Sequence, residues 1–391
     1  MSGPSAIISR STGYFKRDSV TMPLKVLHTA DIHLGAKFVG LGRKGPEQRA
    51  QLLETLGAVV ELAVKEKVDL FLIAGDLFDS NRVSRELLER CAALMADLES
   101  NGIPVCVSPG THDPFGVASV YAVLPLAALS NLTVFKSEEI TPVRLPALDC
   151  TVWGNANMKP FENMYPLAGF APGSESRWNV GLLHANYDRP DIAEDTYVVT
   201  AEQIASSGLD YLALGHIHGT SERSAGTTKA FYSGSPEMVR AQKGDFGNVL
   251  IVEFDGGVEA RKVRVGRRSY EEVVLRAEDI DSASRLKSAL EQRADPDMVV
   301  KLNVQGARPL GYPDVGELVG ELSDLFFSIA VSDGSLPAPE TVDPEDYPAD
   351  SAAGAYLRVL EERLGGASES EREEILEAMR LGLSWLTEGR A

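Results

Sequence analysis

Short apolar runs alternate with amphipathic stretches over the first 110 residues of the chain. The runs at 24–28, 68–74 and 103–107 predict buried strands, because each is brief and ends in a polar loop. Between them, apolar residues recur every three to four positions over 46–67 and 84–100, which predicts two helices. This alternation favours parallel strands joined by right-handed crossovers. Ligands of such sheets gather at the carboxyl ends of the strands.

The pattern becomes strand-rich from residue 132 onward. A small β-α-β unit is predicted within 270–330, and two amphipathic helices at 353–364 and from 370 to the end. Further strands are predicted at 132–136, 151–153, 180–184, 211–214, 230–233, 248–254 and 258–265, with a short helix at 203–207.

These changes in pattern divide the 391 residues into five predicted segments. Four prolines among acidic residues make 333–351 an acidic, Pro-rich linker that we expect to be mobile. The other segments are an N-terminal extension expected to be disordered (1–22), an α/β domain (23–268), a small α+β domain (269–332) and a C-terminal helical segment (352–391).

Charge and cysteine usage narrow the class of protein. The net charge is −19, but residues 271–391 hold 26 acidic and 11 basic residues, so the acidity belongs to the C-terminal third and does not exclude a nucleic-acid substrate. Three cysteines without a CxxC pair indicate a reducing, cytoplasmic compartment. No apolar run approaches the ~18 residues of a membrane span, and we expect no membrane association. The first 21 residues lack the apolar core of a secretory signal, and we interpret them as an upstream start rather than a transit peptide.

Five of the six histidines lie in polar clusters directly after predicted strands. The clusters are Asp31-x-His33, Gly75-Asp76 with Asp79, Gly110-Thr111-His112-Asp113, His184, and Gly215-His216-x-His218. Histidine and carboxylate groups suit Mn, Fe or Zn. Residues i and i+2 of an extended loop face the same way. The first and last clusters can therefore each present two side chains to one ion or to adjacent ions.

Each cluster also has an ordinary structural explanation. A lone histidine after a strand is usually solvated or satisfied by a neighbour, and Gly-Asp commonly begins a helix with the aspartate as N-cap. Five clusters in this order, each after an apolar strand, argue against chance. His28 lies inside the first strand, and we assign it a core role.

The ordered clusters resemble the calcineurin-like metallophosphoesterase pattern D-x-H, G-D, G-N-H-[DE], H, G-H-x-H over residues 24–265. The resemblance implies a four-layer α/β-β/α sandwich with two divalent metal ions at the strand ends. Manganese is the first expectation, with Mg, Fe or Zn as alternatives. The resemblance assigns Asp31, His33 and His218 to the first metal and His184 and His216 to the second, with Asp76 as the bridge between them.

The same pattern gives the remaining residues of the third cluster their expected roles. His112 is the non-ligand histidine that assists the leaving group, oriented by Asp79 or Asp113. The chain departs from the pattern at Thr111, where the family has an asparagine ligand. A hydroxyl is a weaker donor, so the second metal site is expected to be looser, completed by water, or selective for another metal.

Finer similarity points to the DNA repair nucleases of the SbcD and YhaO type. This similarity is carried by four segments: His-Thr-Ala-Asp-Ile-His-Leu-Gly, Ala-Gly-Asp-Leu-Phe-Asp, Leu-Gly-His-Ile-His and Tyr-Ser-Gly-Ser-Pro-Glu. The resemblance implies that 23–268 is the nuclease domain and 269–332 a capping domain. It also implies a separate SMC-type coiled-coil ATPase (SbcC/YhaN-like) and a homodimer. The chain has no GxxxxGK[ST] loop of its own. The C-terminal helices either dock that ATPase or pack on the capping domain.

Three functions remain open at this point. The first is a metal-dependent DNA exonuclease, also able to act as an endonuclease, in DNA repair. The second is a nucleotide or small-molecule phosphodiesterase, and the third a non-catalytic DNA-tethering protein. Arg240 and Lys243 are candidate DNA contacts. The basic run from Arg261 to Arg268 is either a second contact or a solvated rim.

Overall fold

The structure is a computed structural model that describes residues 23–123, 125–160, 164–173, 176–188, 197–308, 312–337, 339 and 341–388. The predicted N-terminal extension, 1–22, lies outside the described residues. The described strands are β1 (Leu24–Thr29), β2 (Leu70–Ile73), β3 (Val105–Val107), β4 (Leu132–Val134), β5 (Thr141–Leu145), β6 (Cys150–Gly154), β7 (Trp178–His184), β8 (Asn186–Tyr187), β9 (Val198–Val199), β10 (Tyr211–Gly215), β11 (Ser221–Glu222), β12 (Lys229–Tyr232), β13 (Asn248–Phe254), β14 (Val258–Arg264), β15 (Ser269–Arg276), β16 (Asp295–Gln305) and β17 (Phe326–Asp333). The described α-helices are α1 (Gly45–Glu66), α2 (Arg85–Ser100), α3 (Ala201–Ser206), α4 (Ala283–Glu291), α5 (Val315–Glu321), α6 (Ala352–Gly365) and α7 (Glu369–Glu388).

Two six-stranded mixed sheets form the body of the α/β region. The first has the order β14-β13-β1-β2-β3-β4, in which β1 to β4 run parallel and β13 pairs antiparallel with β1. The second has the order β11-β12-β10-β7-β6-β5, with β12, β10, β7 and β6 parallel. The parallel pairing of β1, β2 and β3 confirms the prediction from the alternating pattern.

The two sheets face each other across a buried apolar layer. Val26 and Leu72 of the first sheet belong to the same cluster as Val152 and Leu182 of the second, and all four are fully buried. Burying one such side chain stabilises the fold by roughly 1.5–3 kcal/mol.

Helices cover the outer faces of both sheets. On the outer face of the first sheet, Leu56 of α1 and Met95 of α2 pack against Phe71. On the second, Ile204 of α3 packs with Leu212. The layers therefore run helix, sheet, sheet, helix, and the predicted four-layer α/β-β/α sandwich is confirmed.

A third sheet follows the sandwich in the chain. Its strands β15, β16 and β17 are all parallel, and α4 and α5 form its two crossovers. The sequence pattern predicts the first two strands and α4, but it misses α5 and β17. Helix α5 has only seven residues, and the second half of β17 is exposed with no alternation of apolar and polar residues, so neither gives a clear periodic signal.

The segment predicted as a mobile linker contacts the third sheet. Leu336 is buried and its N–H donates to the Gly306 carbonyl at 2.7 Å. Beyond it, α6 and α7 pack on each other through Leu357, Met379 and Leu383. The helices thus cover their own apolar stripes, and Ser384 Oγ donates to a linker carbonyl. The boundaries of the predicted domains stay predictions. Among the described residues, no helix combines the length and apolarity needed to cross a bilayer.

Candidate metal centre

The predicted ligands meet where the strands of both sheets end. Asp31 and His33 follow β1, Asp76 follows β2, and His184 ends β7. Backbone hydrogen bonds tie the first two loops together: the Asp31 N–H donates to the Gly75 carbonyl and the His33 N–H to the Asp76 carbonyl, at 3.0 and 2.9 Å. The two loops therefore hold three of the predicted ligands as one unit.

The loop after β10 closes the site from the second sheet. The His216 N–H donates to both carboxylate oxygens of Asp31 at 3.0 Å. The ring of His216 lies 5.2 Å from that of His184, and the ring of His218 lies 5.0 Å from that of His33. All six residues assigned to the two metals are thus gathered at one place.

Four of these ligands have backbone conformations that non-glycine residues seldom adopt. The φ angle is 53° at Asp31, 52° at His33, 49° at Asp76 and 102° at His216. Each such residue costs on the order of 1–3 kcal/mol and persists only where its surroundings fix it. Strain of this kind concentrates at functional sites, and no feature of the sequence signalled it.

The hydrogen bonds of two histidines leave one ring nitrogen of each for an ion. His33 Nδ1–H donates to Asp79 Oδ1 at 3.2 Å, and His184 Nδ1–H donates to the Ala74 carbonyl at 2.9 Å. Among the described residues, Nε2 of both rings is buried without a hydrogen-bond partner. His184 Nε2 lies 3.2 Å from Asp76 Oδ2. These two atoms need a positive charge between them; a proton supplies it in the free chain, and a metal ion can take the place of that proton.

Three donor groups among the described residues are compact enough to hold an ion. Within each, the donor atoms lie within 4.8 Å of one another. The groups are Asp31 with His33 and His218, Asp31 with Asp76 and His184, and His33 with Asp76 and His112. Asp31, His33 and Asp76 each belong to two of the groups. The donor set and the unpartnered nitrogens fit two divalent ions.

Burial and the shared carboxylates set the charge states of the site. Burial raises the pKa of Asp31 to about 6. Burial opposes ionisation of Asp76 too, but His184 and His33 hold its pKa well below the usual range. Burial lowers the pKa of His184, yet Asp76 and Asp31 raise it more, to about 9. The carboxylates therefore favour a cation at His184.

The pKa values of the two histidines in the loop after β10 are shifted in the opposite direction. Burial lowers the pKa of His216 to about 4 and of His218 to about 3. Both are neutral at physiological pH, which is the form that binds a metal.

The third cluster lies against Asp76. The His112 N–H donates to Asp76 Oδ1 at 2.8 Å, and Thr111 Oγ1 lies 3.5 Å from Asp76 Oδ2. His112 is half-exposed, and its Nδ1–H donates to the Asp79 carbonyl at 3.2 Å. This contact leaves His112 Nε2 as the nitrogen available to a substrate.

The two carboxylates predicted to orient His112 have different surroundings. The backbone carbonyl of Asp79 accepts from His112. The Asp79 carboxylate lies 3.8 Å from His112 Nδ1 and is hydrogen-bonded to His33 instead. Asp113 is buried and accepts the N–H groups of Phe78 and Gly110 and the hydroxyl of Tyr121. The described contacts of Asp113 do not include His112, so its observed role is to fix the turn.

An open cleft of about 890 Å³ leads from the metal ligands to the loop after β12. Asp76, His112, His216 and His218 line one part of it, and Arg240 and Lys243 line another. Lys243 also pairs with Glu272 of β15 at 3.3 Å. Both predicted DNA contacts therefore border the cavity that contains the metal ligands.

Three residues of the basic run between Arg261 and Arg268 form ion pairs at the surface. Arg261 pairs with Glu66, Lys262 with Asp245, and Arg267 with Asp297. These residues do not border the cleft. His28 is buried and contacts the Tyr211 hydroxyl at 2.9 Å, in line with the core role predicted for it.

Comparison with known proteins decides the family. The model of the calcineurin-like phosphoesterase family matches residues 24–220, about half of the chain. The chain belongs to this family. Its members are metal-dependent phosphoesterases, and the histidine and carboxylate groups described above fit that chemistry.

Similar proteins of this family come from bacteria and archaea. The metallophosphoesterase YhaO of Bacillus subtilis is 25% identical over 73% of this chain and 72% of its own. The DNA double-strand break repair protein Mre11 of Aeropyrum pernix is 29% identical over 62% of this chain and 61% of its own. The SbcD component of the nuclease SbcCD of Escherichia coli K12 is 25% identical over 60% of this chain and 66% of its own. The chain thus spans about two thirds of the length of these phosphoesterases.

Proposed function

We propose that this phosphoesterase hydrolyses DNA as an exonuclease in DNA repair, with endonucleolytic cleavage as a further activity to test. The observation that carries the proposal is the cleft that joins the metal ligands to Arg240 and Lys243. Two basic side chains beside a phosphodiesterase centre suit a substrate that carries several phosphates. The relatives named as a nuclease component and as repair proteins support the same substrate.

The metal centre is proposed to hold two Mn²⁺ ions. Asp31, His33 and His218 would bind one ion, His184 and His216 the other, and Asp76 would bridge them. When bound, such ions activate a water nucleophile and neutralise charge on the phosphoryl oxygens. The protein contributes the orientation of each ligand, since Asp79 and the Ala74 carbonyl fix the ring nitrogens that face the ions.

His112 is proposed as the general acid. Its Nδ1–H is held by the Asp79 carbonyl, so protonated His112 would present Nε2–H to the substrate. When the bond from phosphorus to the leaving oxygen breaks, that proton would pass to the departing alkoxide. A positioned acid of this kind accelerates a reaction roughly 10²–10⁴-fold.

Arg240 and Lys243 are proposed to hold the DNA backbone in the cleft. Lys243 is largely exposed, and its partner Glu272 lies at the edge of the third sheet. Because an exposed ion pair contributes only about 0–1 kcal/mol, a phosphate can replace Glu272 at little cost. DNA affinity is then expected to fall steeply with salt.

A separate SMC-type ATPase is the proposed partner. The α6–α7 hairpin leaves Val359, Trp385 and Leu386 exposed, at 55%, 68% and 38% of their surface. Exposed apolar side chains on a helical hairpin suit contact with a coiled coil. A homodimer through the nuclease domain is a further proposal, for which the analytical ultracentrifuge gives the test.

Cleavage of end-labelled linear duplex and single-stranded DNA, and of a circular plasmid, tests the function. It is run with Mn²⁺, with Mg²⁺ and with chelator, beside bis-p-nitrophenyl phosphate as a small diester. We expect Mn²⁺-dependent trimming of the linear substrates, reduced about 10²-fold or more in His112→Ala.

Matched variants separate the alternatives. Arg240→Ala with Lys243→Ala should weaken DNA cleavage and leave the small diester unaffected, whereas Arg285→Ala, an exposed arginine on α4, should change neither. Equal loss on both substrates would indicate a small-molecule phosphodiesterase. Binding of DNA without cleavage under either metal would indicate a tethering protein.

A further inference from the structure

The second metal position has fewer strong donors than the first. Of the residues assigned to it, Asp76 and His184 share a compact donor group, whereas His216 belongs to none of the compact donor groups among the described residues. Thr111 offers only a hydroxyl, which already points at Asp76 Oδ2. Hard divalent cations such as Mn²⁺ favour carboxylate and carbonyl oxygens and take more ligands than these.

Asn186 places an amide at the same part of the cleft. It lines the cleft together with Asp76, Thr111 and His216. Its side chain is 9% exposed, and among the described residues its Oδ1 is buried without a hydrogen-bond donor. A buried acceptor left unpaired is unfavourable, so a bound partner is expected.

Asn186 also lies close in the chain to a predicted ligand. Asn186 follows His184 by two residues in extended chain, so the two side chains leave the same face. The Asn186 N–H is held by the Tyr197 carbonyl at 2.7 Å, which fixes the position of the residue. Among the described residues, Asn186 Oδ1 is thus a buried acceptor without a donor, two residues from a predicted metal ligand.

We propose that Asn186 Oδ1 is a ligand of the second metal ion and supplies the amide oxygen that Thr111 lacks. Asn155 also has a buried, unpartnered Oδ1, but it does not border the cleft and its Nδ2 donates to the Glu138 carbonyl. This contrast separates an unpaired amide beside the metal ligands from one elsewhere in the fold. The inference rests on the proposed two-metal centre and is independent of DNA as the substrate.

Binding of Mn²⁺ to the chelator-treated full chain tests the assignment. Calorimetry counts the ions and gives their affinities, and electron paramagnetic resonance distinguishes a coupled Mn²⁺ pair from isolated ions. We expect two ions in the wild type. Asn186→Ala should keep the first affinity and weaken the second by at least about tenfold, with loss of the coupled signal.

A double variant makes the test specific. Thr111→Asn should restore the second ion in the Asn186→Ala background, because it returns an amide oxygen beside Asp76. Asn155→Ala, the matched control, should keep both ions. Should Asn186→Ala fail to fold, Asn186→Asp carries the test, since a carboxylate there should tighten the second ion.

The outcomes separate this inference from the function. Two ions of unchanged affinity in folded Asn186→Ala, or in Asn186→Asp when only that variant folds, overturn the role of Asn186 and leave the two-metal centre standing. A wild type that binds a single ion overturns the two-metal proposal and this assignment with it.

Discussion

The guanidinium carbon of Arg268 lies 3.5 Å from the centroid of the Phe327 ring. Arg268 is 1% exposed, and its Nε donates to Gln48 Oε1 of α1 at 3.1 Å. The same guanidinium pairs with Glu47 of α1 and with Asp297 of β16. One buried cation therefore connects the first helix of the sandwich to the third sheet, at the boundary predicted between the two domains.

Replacing Arg268 by lysine should destabilise this junction. An ammonium lacks the planar fork that serves three partners at once and stacks less well on an aromatic ring. A desolvated cation–π contact contributes about 2 kcal/mol, and we expect a loss of that order in the free energy of unfolding by urea. Arg285→Lys, in an exposed pair with Asp281, should change it by less than about 0.5 kcal/mol. Equal midpoints for the two variants would contradict the role of Arg268.

Glu237 links the metal loops to the same junction. Its carboxylate accepts the Thr55 hydroxyl at 3.0 Å and the N–H groups of Arg267 and Arg268 at 2.8 and 3.1 Å. Two residues earlier, Ser235 Oγ donates to the Asp31 carbonyl at 2.6 Å. This turn is therefore bonded both to a metal ligand and to the start of the third sheet.

Glu237→Gln should be costly although it changes few atoms. The side-chain nitrogen of glutamine cannot accept a hydrogen bond, so it would face N–H or O–H donors that now bond to a carboxylate oxygen. Each donor left unsatisfied lowers the free energy of unfolding by about 1–3 kcal/mol. The free energy of unfolding is the measurement. Glu253→Gln, an exposed partner of Lys25, is the control and should be close to neutral. A fully stable Glu237→Gln would show that the turn does not depend on the carboxylate.

The sequence predicted the sandwich because its central elements are long or strongly apolar. Helices expected at 46–67 and 84–100 are found at Gly45–Glu66 and Arg85–Ser100, and Ser84 caps the second by accepting the Leu87 N–H. Strand β5, by contrast, contains Pro142 at a sheet edge with alternate residues exposed. Prolines are confined to such edges, so local sequence alone could not identify it.

The candidate site was predictable as a set of residue types but not as a geometry. The histidines and aspartates that follow apolar strands indicated which residues are candidate metal ligands. Positive φ angles at Asp31 and His216, and the unpartnered amide of Asn186, depend on contacts between distant segments. Whether another residue replaces the asparagine missing at Thr111 likewise depends on which side chains line the same cleft, and Asn186 is one of them.

Asp79 should matter for metal affinity although it is assigned to neither ion. Its carboxylate accepts His33 Nδ1–H, which leaves His33 Nε2 to face the proposed first ion. Loss of such a partner typically weakens metal binding 10–100-fold. We expect that range for Asp79→Ala in a Mn²⁺ titration, with a smaller effect for Asp79→Asn, which keeps an acceptor oxygen. Unchanged affinity in Asp79→Ala would show that His33 is oriented by the surrounding packing alone.

The three cysteines should be inert in the folded chain. Burial raises the pKa of Cys91, Cys106 and Cys150 to about 12. The thiolate fraction at pH 8 is then on the order of 1 in 10⁴, and a disulfide reagent should label them only after unfolding. Since the folded pKa exceeds the unfolded value, their contribution to stability is present below about pH 9 and is lost as the pH rises from there. Rapid labelling of native protein at pH 8 would contradict the burial of these thiols.

Gly110 should be irreplaceable because Asp76 lies against its α-carbon. A β-carbon added there would come within 2.2 Å of Asp76 Oδ1 and 2.6 Å of the Asp76 backbone nitrogen. Gly110→Ala must therefore displace Asp76, the proposed bridging ligand, and we expect Mn²⁺ affinity to fall at least about tenfold in a chain that still folds. Gly116 lies a few residues further along with open space around its β-position, so Gly116→Ala should bind Mn²⁺ as the wild type does. Equal affinities in the two variants would mean that Asp76 can move without cost to the metal centre, against the bridging role assigned to it.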